Sequence, residues 1–147
     1  MSKRFLVNMV LLSFVFILFG CGGYDSPPED GSITVSPSSI KITDPSGPVE
    51  IDRGQFLVVV KDADGIPLNN VEVVVSYPWA VPSPAGAVQF YDGSTPVNSP
   101  MTVITDKNGA YIVKFSYQRG GIEYKGDFQF IAGSLSTTAT FEVETGS

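Results

Sequence analysis

"FLVVVKDADGIPLNNVEVVVSY", from Phe56 to Tyr77, alternates at both ends and turns in its middle. Phe56, Val58 and Val60 share one side of an extended chain, and Val71, Val73 and Val75 do the same after the turn. A side-chain period of two belongs to a strand with one face in a core and the other in water, whereas a helix repeats its apolar positions every 3.6 residues. Between the two runs lie Asp-Ala-Asp-Gly and Pro-Leu-Asn-Asn, which favour turns for separate reasons. Short polar side chains bond their own backbone, Gly accepts a positive φ, and Pro arrives with φ already set.

The same signature recurs along the chain. Tyr111, Val113, Phe115 and Tyr117 alternate with Ile112, Lys114, Ser116 and Gln118. Leu135, Thr137, Ala139, Phe141 and Val143 alternate with Ser136, Thr138, Thr140 and Glu142. Further turns are marked by "DKNG", "RGG" and "AGS". No segment from Ile33 onward repeats with helical spacing, so the spacing predicts an all-β domain of about seven or eight strands, an antiparallel β-sandwich, with a small barrel as the alternative.

Composition narrows the function. The chain has 147 residues, 43% of them hydrophobic and only 16% charged, with a formal net charge of −6. An acidic surface repels phosphate backbones and lacks a polybasic grip on anionic lipid, which argues against a nucleic-acid partner. The absence of histidine removes the commonest general base and metal ligand. A single cysteine forms neither an internal disulfide nor a Cys-based zinc site. The expectation is a non-enzyme with no cofactor, no metal and no catalytic residues.

The amino terminus carries an address. Lys3 and Arg4 precede Leu6–Phe19, fourteen residues that are apolar except for Asn8 and Ser13. As a helix these would span roughly 21 Å, short of the ~30 Å hydrocarbon core, so a secretory signal peptide fits better than an uncleaved anchor. "LFGC" at Leu18–Cys21 then resembles the lipobox of bacterial lipoproteins. That resemblance implies a Cys21 lipidated on sulfur and, after cleavage, acylated as the first mature residue, palmitate being an expected chain. Attachment by more than one chain is stable. Gly22 is not acidic, which by the same resemblance favours the outer over the inner membrane of a Gram-negative envelope. Residues Gly22–Ser32, rich in Gly, Pro, Ser and acid, read as a tether. The expected organisation is a signal peptide over 1–20, lipidated Cys and flexible tether over 21–31, and one β-domain over 32–147.

Three stretches also carry a family resemblance. "VKDADGIPLNNVEVVV" (Val60–Val75) resembles the hairpin region of bacterial immunoglobulin-like domains of group 1, the invasin and intimin type, with Asp62, Gly65, Pro67, Val71 and Val73 on the pattern. "TDKNGAYIVKF" (Thr105–Phe115) is similar to their second signature, and "GDFQFIAGSLSTTATFEV" (Gly126–Val143) to their closing strand pair. The resemblance covers about Ser32 to Val143 and implies an immunoglobulin-like sandwich. The long, proline-rich Tyr77–Met101 departs from the pattern, and a single domain replaces the arrays that such adhesins often carry.

Candidate sites are few. "YPWAVPSPAG" (Tyr77–Gly86) holds the only tryptophan on a proline-stiffened loop, so Tyr77 and Trp79 are candidate partner-binding residues, unless Trp79 folds back to plug the sandwich. Asp62, Asp64 and Asp106 would suit calcium only if their turns converged; "DADG" opens like an EF-hand loop, but position twelve is Val73. Asp92, Glu123 and Asp127 show no paired spacing, and "GSLST" is not a nucleophile elbow. The expected function is a non-catalytic interaction or accessory module of the cell envelope. Its expected partners are the membrane, through Cys21, and another envelope or surface protein, with Lys114 and Glu142 as sheet-edge positions for the contact. The alternative is an adhesin-like module binding a surface glycan or host protein through Tyr77–Gly86.

Overall fold

A computed structural model describes residues 25–44, 49–77, 79–81, 88–120 and 123–145, and the described chain is all β. The strands are β1 (Ser32–Ser36), β2 (Ser39–Asp44), β3 (Glu50–Lys61), β4 (Glu72–Ser76), β5 (Trp79–Val81), β6 (Val88–Asp92), β7 (Thr95–Val97), β8 (Met101–Ile104), β9 (Ala110–Arg119), β10 (Tyr124–Ala132) and β11 (Leu135–Thr145). They form two sheets, ordered β1-β3-β9-β6-β7 and β2-β11-β10-β4-β8, with β5 also paired to β10. Every pairing is antiparallel except β2 with β11, which is parallel.

Lettering β1, β3, β4, β6, β9, β10 and β11 as A to G makes the sheets read A-B-E-D and C-F-G, the immunoglobulin arrangement. There are more strands than seven or eight for two reasons. The chain leaves one sheet after β1 and joins the other at β2. The Tyr77–Met101 departure also supplies short β5 and the β6–β7 hairpin before β8 returns to the edge beside β4.

The alternating residues lie between the sheets: Phe56, Val58, Val60, Val71, Val73, Val75, Val113, Phe115 and Phe141 are all buried. Antibody-type domains bridge strands B and F with a disulfide packed on a tryptophan. Here Phe56 on β3 and Phe128 on β10 meet at 5.0 Å between ring centroids, and Phe115 lies 4.9 Å from Phe128. Phe141 meets Phe115 edge-on at 5.3 Å. Each buried ring contributes about 1.5–3 kcal/mol and each favourable ring pair about 0.5–1.5 kcal/mol more. A four-ring cluster therefore matches or exceeds the ~2–4 kcal/mol of a typical disulfide. Gly54 makes room for it. It stands opposite Phe115 in register, and a Cβ there would fall 2.4 Å from the Phe115 ring.

Tyr124, at the start of β10, donates its hydroxyl to the Gln118 carbonyl at 2.6 Å. This ties the β9–β10 corner to itself in the manner of the tyrosine corner of immunoglobulin-like folds. Burial raises the Tyr124 phenol well above its ordinary range.

The lead-in to β1 differs from the composition-based reading of a tether. Asp25 bridges to Val71, its N–H donating to the Asn70 carbonyl at 3.1 Å. Pro27 is buried, its ring 3.2 Å from where a Gly133 Cβ would stand. The Gly31 N–H closes a turn on the Pro28 carbonyl at 3.0 Å. Proline offers an apolar ring and no N–H to satisfy, so a Pro-rich stretch can dock without a ladder. The chain thus joins the domain by Asp25, at the end of the sandwich that carries the β3–β4, β8–β9 and β10–β11 turns; β11 runs from there to the opposite end.

Candidate functional site

Two turns at the lead-in end are built alike. In Asp62–Ile66, Asp62 Oδ1 accepts the N–H groups of Asp64 and Ile66 at 3.0 and 2.8 Å. In Asp106–Ala110, Asp106 Oδ1 accepts those of Asn108 and Ala110 at 2.8 and 3.0 Å. Gly65 and Gly109 take positive φ, 80° and 67°, and donate back to the carbonyls of Asp62 and Asp106. The backbone N–H of Ala110, then that of Asn108, holds the Asp106 carboxyl below its ordinary range.

The turns do converge. A Cβ on Gly109 would lie 2.8 Å from the Leu68 nitrogen and 2.9 Å from the Pro67 Cβ. Buried Thr105 stitches them, donating to the Leu68 carbonyl at 2.8 Å and accepting the Val71 N–H at 3.0 Å. The stretches Val60–Val75 and Thr105–Phe115 are therefore halves of one structural joint. Asp62 and Asp106 spend carboxylate oxygens on their own loops, and among the described residues no three His, Cys, Asp or Glu gather to hold a metal. Asp92 and Asp127 belong to different sheets and form no pair.

Cys21 lies outside the described residues. Tyr77 is half-buried: its hydroxyl donates to the Val88 carbonyl at 2.9 Å, and its ring packs 4.8 Å from Phe90. Burial raises its phenol above the ordinary range. The Trp79 backbone opposes Gly126 in β5; its side chain, Pro78 and residues 82–87 lie outside the described set. Lys114 and Glu142, expected at sheet edges, stand instead on β9 and β11, which have partners on both sides. Alternation along one strand gives the face of a residue but not the position of its strand in the sheet.

That position gives Lys114 another setting. The outward face of the five-stranded sheet carries two shallow hollows of about 390 and 500 Å³ that share Tyr91, Gly93 and Lys114. The first adds Arg53, Gln55 and Ser94; the second runs over Leu57 and Ile112 to Tyr111 and Asp106. Gln55 opposes Lys114 across β3–β9, and Leu57 opposes Ile112 one pleat along. The β6–β7 turn, with Gly93 at φ 60°, forms one wall. The Tyr91 hydroxyl accepts from Ser116 Oγ at 3.4 Å. Arg53, Gln55 and Lys114 are exposed. Of Arg53, Gln55 and Lys114, only Lys114 was legible in the sequence, as the polar side of an alternating strand.

No protein-family model matches the chain, and no curated protein is detectably similar in sequence. Two solved structures align with most of the chain. A glycosyl hydrolase family 2 member from Bacteroides cellulosilyticus aligns at 12% identity and a TM-score of 0.48, over 82% of this chain and 14% of that one. The CFA/I adhesin CfaE of enterotoxigenic E. coli aligns at 6% identity and a TM-score of 0.46, over 81% of this chain and 49% of that one. The chain thus spans a small part of the first and about half of the second.

Proposed function

We propose that this chain is a lipid-anchored, non-catalytic interaction module of a bacterial cell envelope, an immunoglobulin-like domain of the invasin and intimin type held at the membrane by Cys21. The observation that carries the reading is the docked lead-in. Asp25 is fixed to Asn70 and Val71, only four residues after Cys21. Four residues reach at most about 14 Å. A lipid on Cys21 would hold the Asp62 and Asp106 turns close to the headgroups and turn the opposite end and the outer sheet faces toward partners. With Gly22 after the cysteine, the outer membrane is the favoured site where the cell has one. The joint between the first two motifs supports the family likeness, because each motif supplies what the other binds.

The test is in-cell cross-linking and capture from membranes, comparing wild type with Cys21→Ala. One envelope protein captured only by the anchored form is the expected result. No captured protein, with both forms monomeric, contradicts the reading.

A further inference from the structure

We infer that the outward face of the five-stranded sheet binds a carboxylate-bearing saccharide, with Arg53 and Lys114 receiving the carboxylate and Tyr91 the sugar ring. The first argument is charge. The chain carries a formal −6, and Lys41, Arg119 and Lys125 each lie against a carboxylate. Arg53 and Lys114 have no such partner among the described residues, yet both line one hollow with Gln55 and Tyr91. Unpaired cations converging on one face of an acidic protein form a local seat for an anion. A guanidinium fork matches a carboxylate in two parallel hydrogen bonds, while the lysine adds a movable point charge.

The second argument is the mixture of surfaces. A sugar presents an apolar C–H face and a rim of hydroxyls, so its site needs an aromatic or aliphatic floor beside amides and hydroxyls. Tyr91 and the Leu57–Ile112 pair, 41% and 48% exposed, supply the floor. Gln55 and the Tyr91 hydroxyl proton, which finds no acceptor among the described residues, supply the polar contacts. The hollows, about 390 and 500 Å³, fall in the ~300–1,000 Å³ range of small-ligand sites. Arg53, Gln55, Tyr91 and Lys114 stand on the adjacent strands β3, β9 and β6, with only the β6–β7 wall supplied by a turn, which keeps these groups in place before binding. A protein partner would be expected to seat a deeply buried aromatic or Arg anchor, and these open hollows offer no deep pocket for one.

The inference concerns the domain's face alone and holds whether or not Cys21 is lipidated. It is tested by isothermal titration of the full chain in mild detergent with trigalacturonate, using maltotriose as the neutral control. Trigalacturonate is expected to bind at least about tenfold more tightly than maltotriose, and less tightly as salt rises. Arg53→Gln and Lys114→Gln are each expected to weaken it about tenfold, and Lys125→Gln, on the other sheet, to leave it unchanged. Circular dichroism checks that the variants fold. Four results overturn the inference: no binding of trigalacturonate at millimolar concentration, equal binding of the neutral sugar, unchanged binding by the Arg53→Gln/Lys114→Gln double variant, or equally tight binding of inorganic polyphosphate, which marks a bare charge effect.

Discussion

Replacing Thr105 by valine keeps the shape of the side chain and removes its hydroxyl. In the folded protein that hydroxyl is 4% exposed as part of its residue and makes two bonds, to the Leu68 carbonyl at 2.8 Å and from the Val71 N–H at 3.0 Å. The Val71 N–H sits in buried surroundings, so losing its acceptor costs about 1–3 kcal/mol. The Leu68 carbonyl is only part-buried and can turn to water, which adds about 0.5–1 kcal/mol. The sum, about 1.5–4 kcal/mol, is a large share of the ~5–15 kcal/mol that keeps a typical domain folded. Urea unfolding of the chain from Gly22, followed by intrinsic fluorescence, should show a lower midpoint with an unchanged slope. Thr105→Ser keeps both bonds and loses one methyl, so it should cost about 0.8 kcal/mol or less. A valine variant as stable as wild type, or a serine variant worse than the valine one, would refute the idea that this hydroxyl joins the two motifs.

Gly54→Ala places a methyl 2.4 Å from the Phe115 ring and should destabilise by about 1–3 kcal/mol, read as a lower melting temperature. Tyr124→Phe leaves the ring on Phe141 but deprives the Gln118 carbonyl of its donor; a loss of about 1–2 kcal/mol by urea unfolding is expected. The Asp106 carboxyl is depressed below 3.8 by its bonds to Ala110 and Asn108. A depressed acid stabilises the fold above its ordinary value and loses that contribution as the pH falls through the folded one. NMR titration should therefore find Asp106 among the last carboxyls to protonate, and Asp106→Asn should flatten the acid limb of the stability profile.

Much of the fold was legible because burial on one face writes itself as alternation. Phe56 to Val60, Val71 to Val75 and Tyr111 to Tyr117 face as their spacing predicts. The turn aspartates were legible too, since an Asx turn needs only its own residue and the backbone after it. What stayed hidden depends on distant segments meeting. Nothing local announces that β2 pairs in parallel with β11, or that Pro27 docks beside Gly133 when its neighbours read as tether. Tyr77 was legible as an aromatic on a stiff loop but not as a donor to Val88, because that bond requires β6 to return beside it. Arg53, Tyr91 and Lys114 become one surface only through the order β3-β9-β6, which brings together residues from three separate strands.

The most direct test of the anchored-module account is acyl labelling in cells. An alkyne-tagged palmitate is fed to cells producing the full chain or Cys21→Ala, and the membrane and soluble fractions are compared. The account predicts label on the wild-type chain in the membrane fraction, with Cys21→Ala unlabelled. An unlabelled wild type, or label that persists without Cys21, would contradict it.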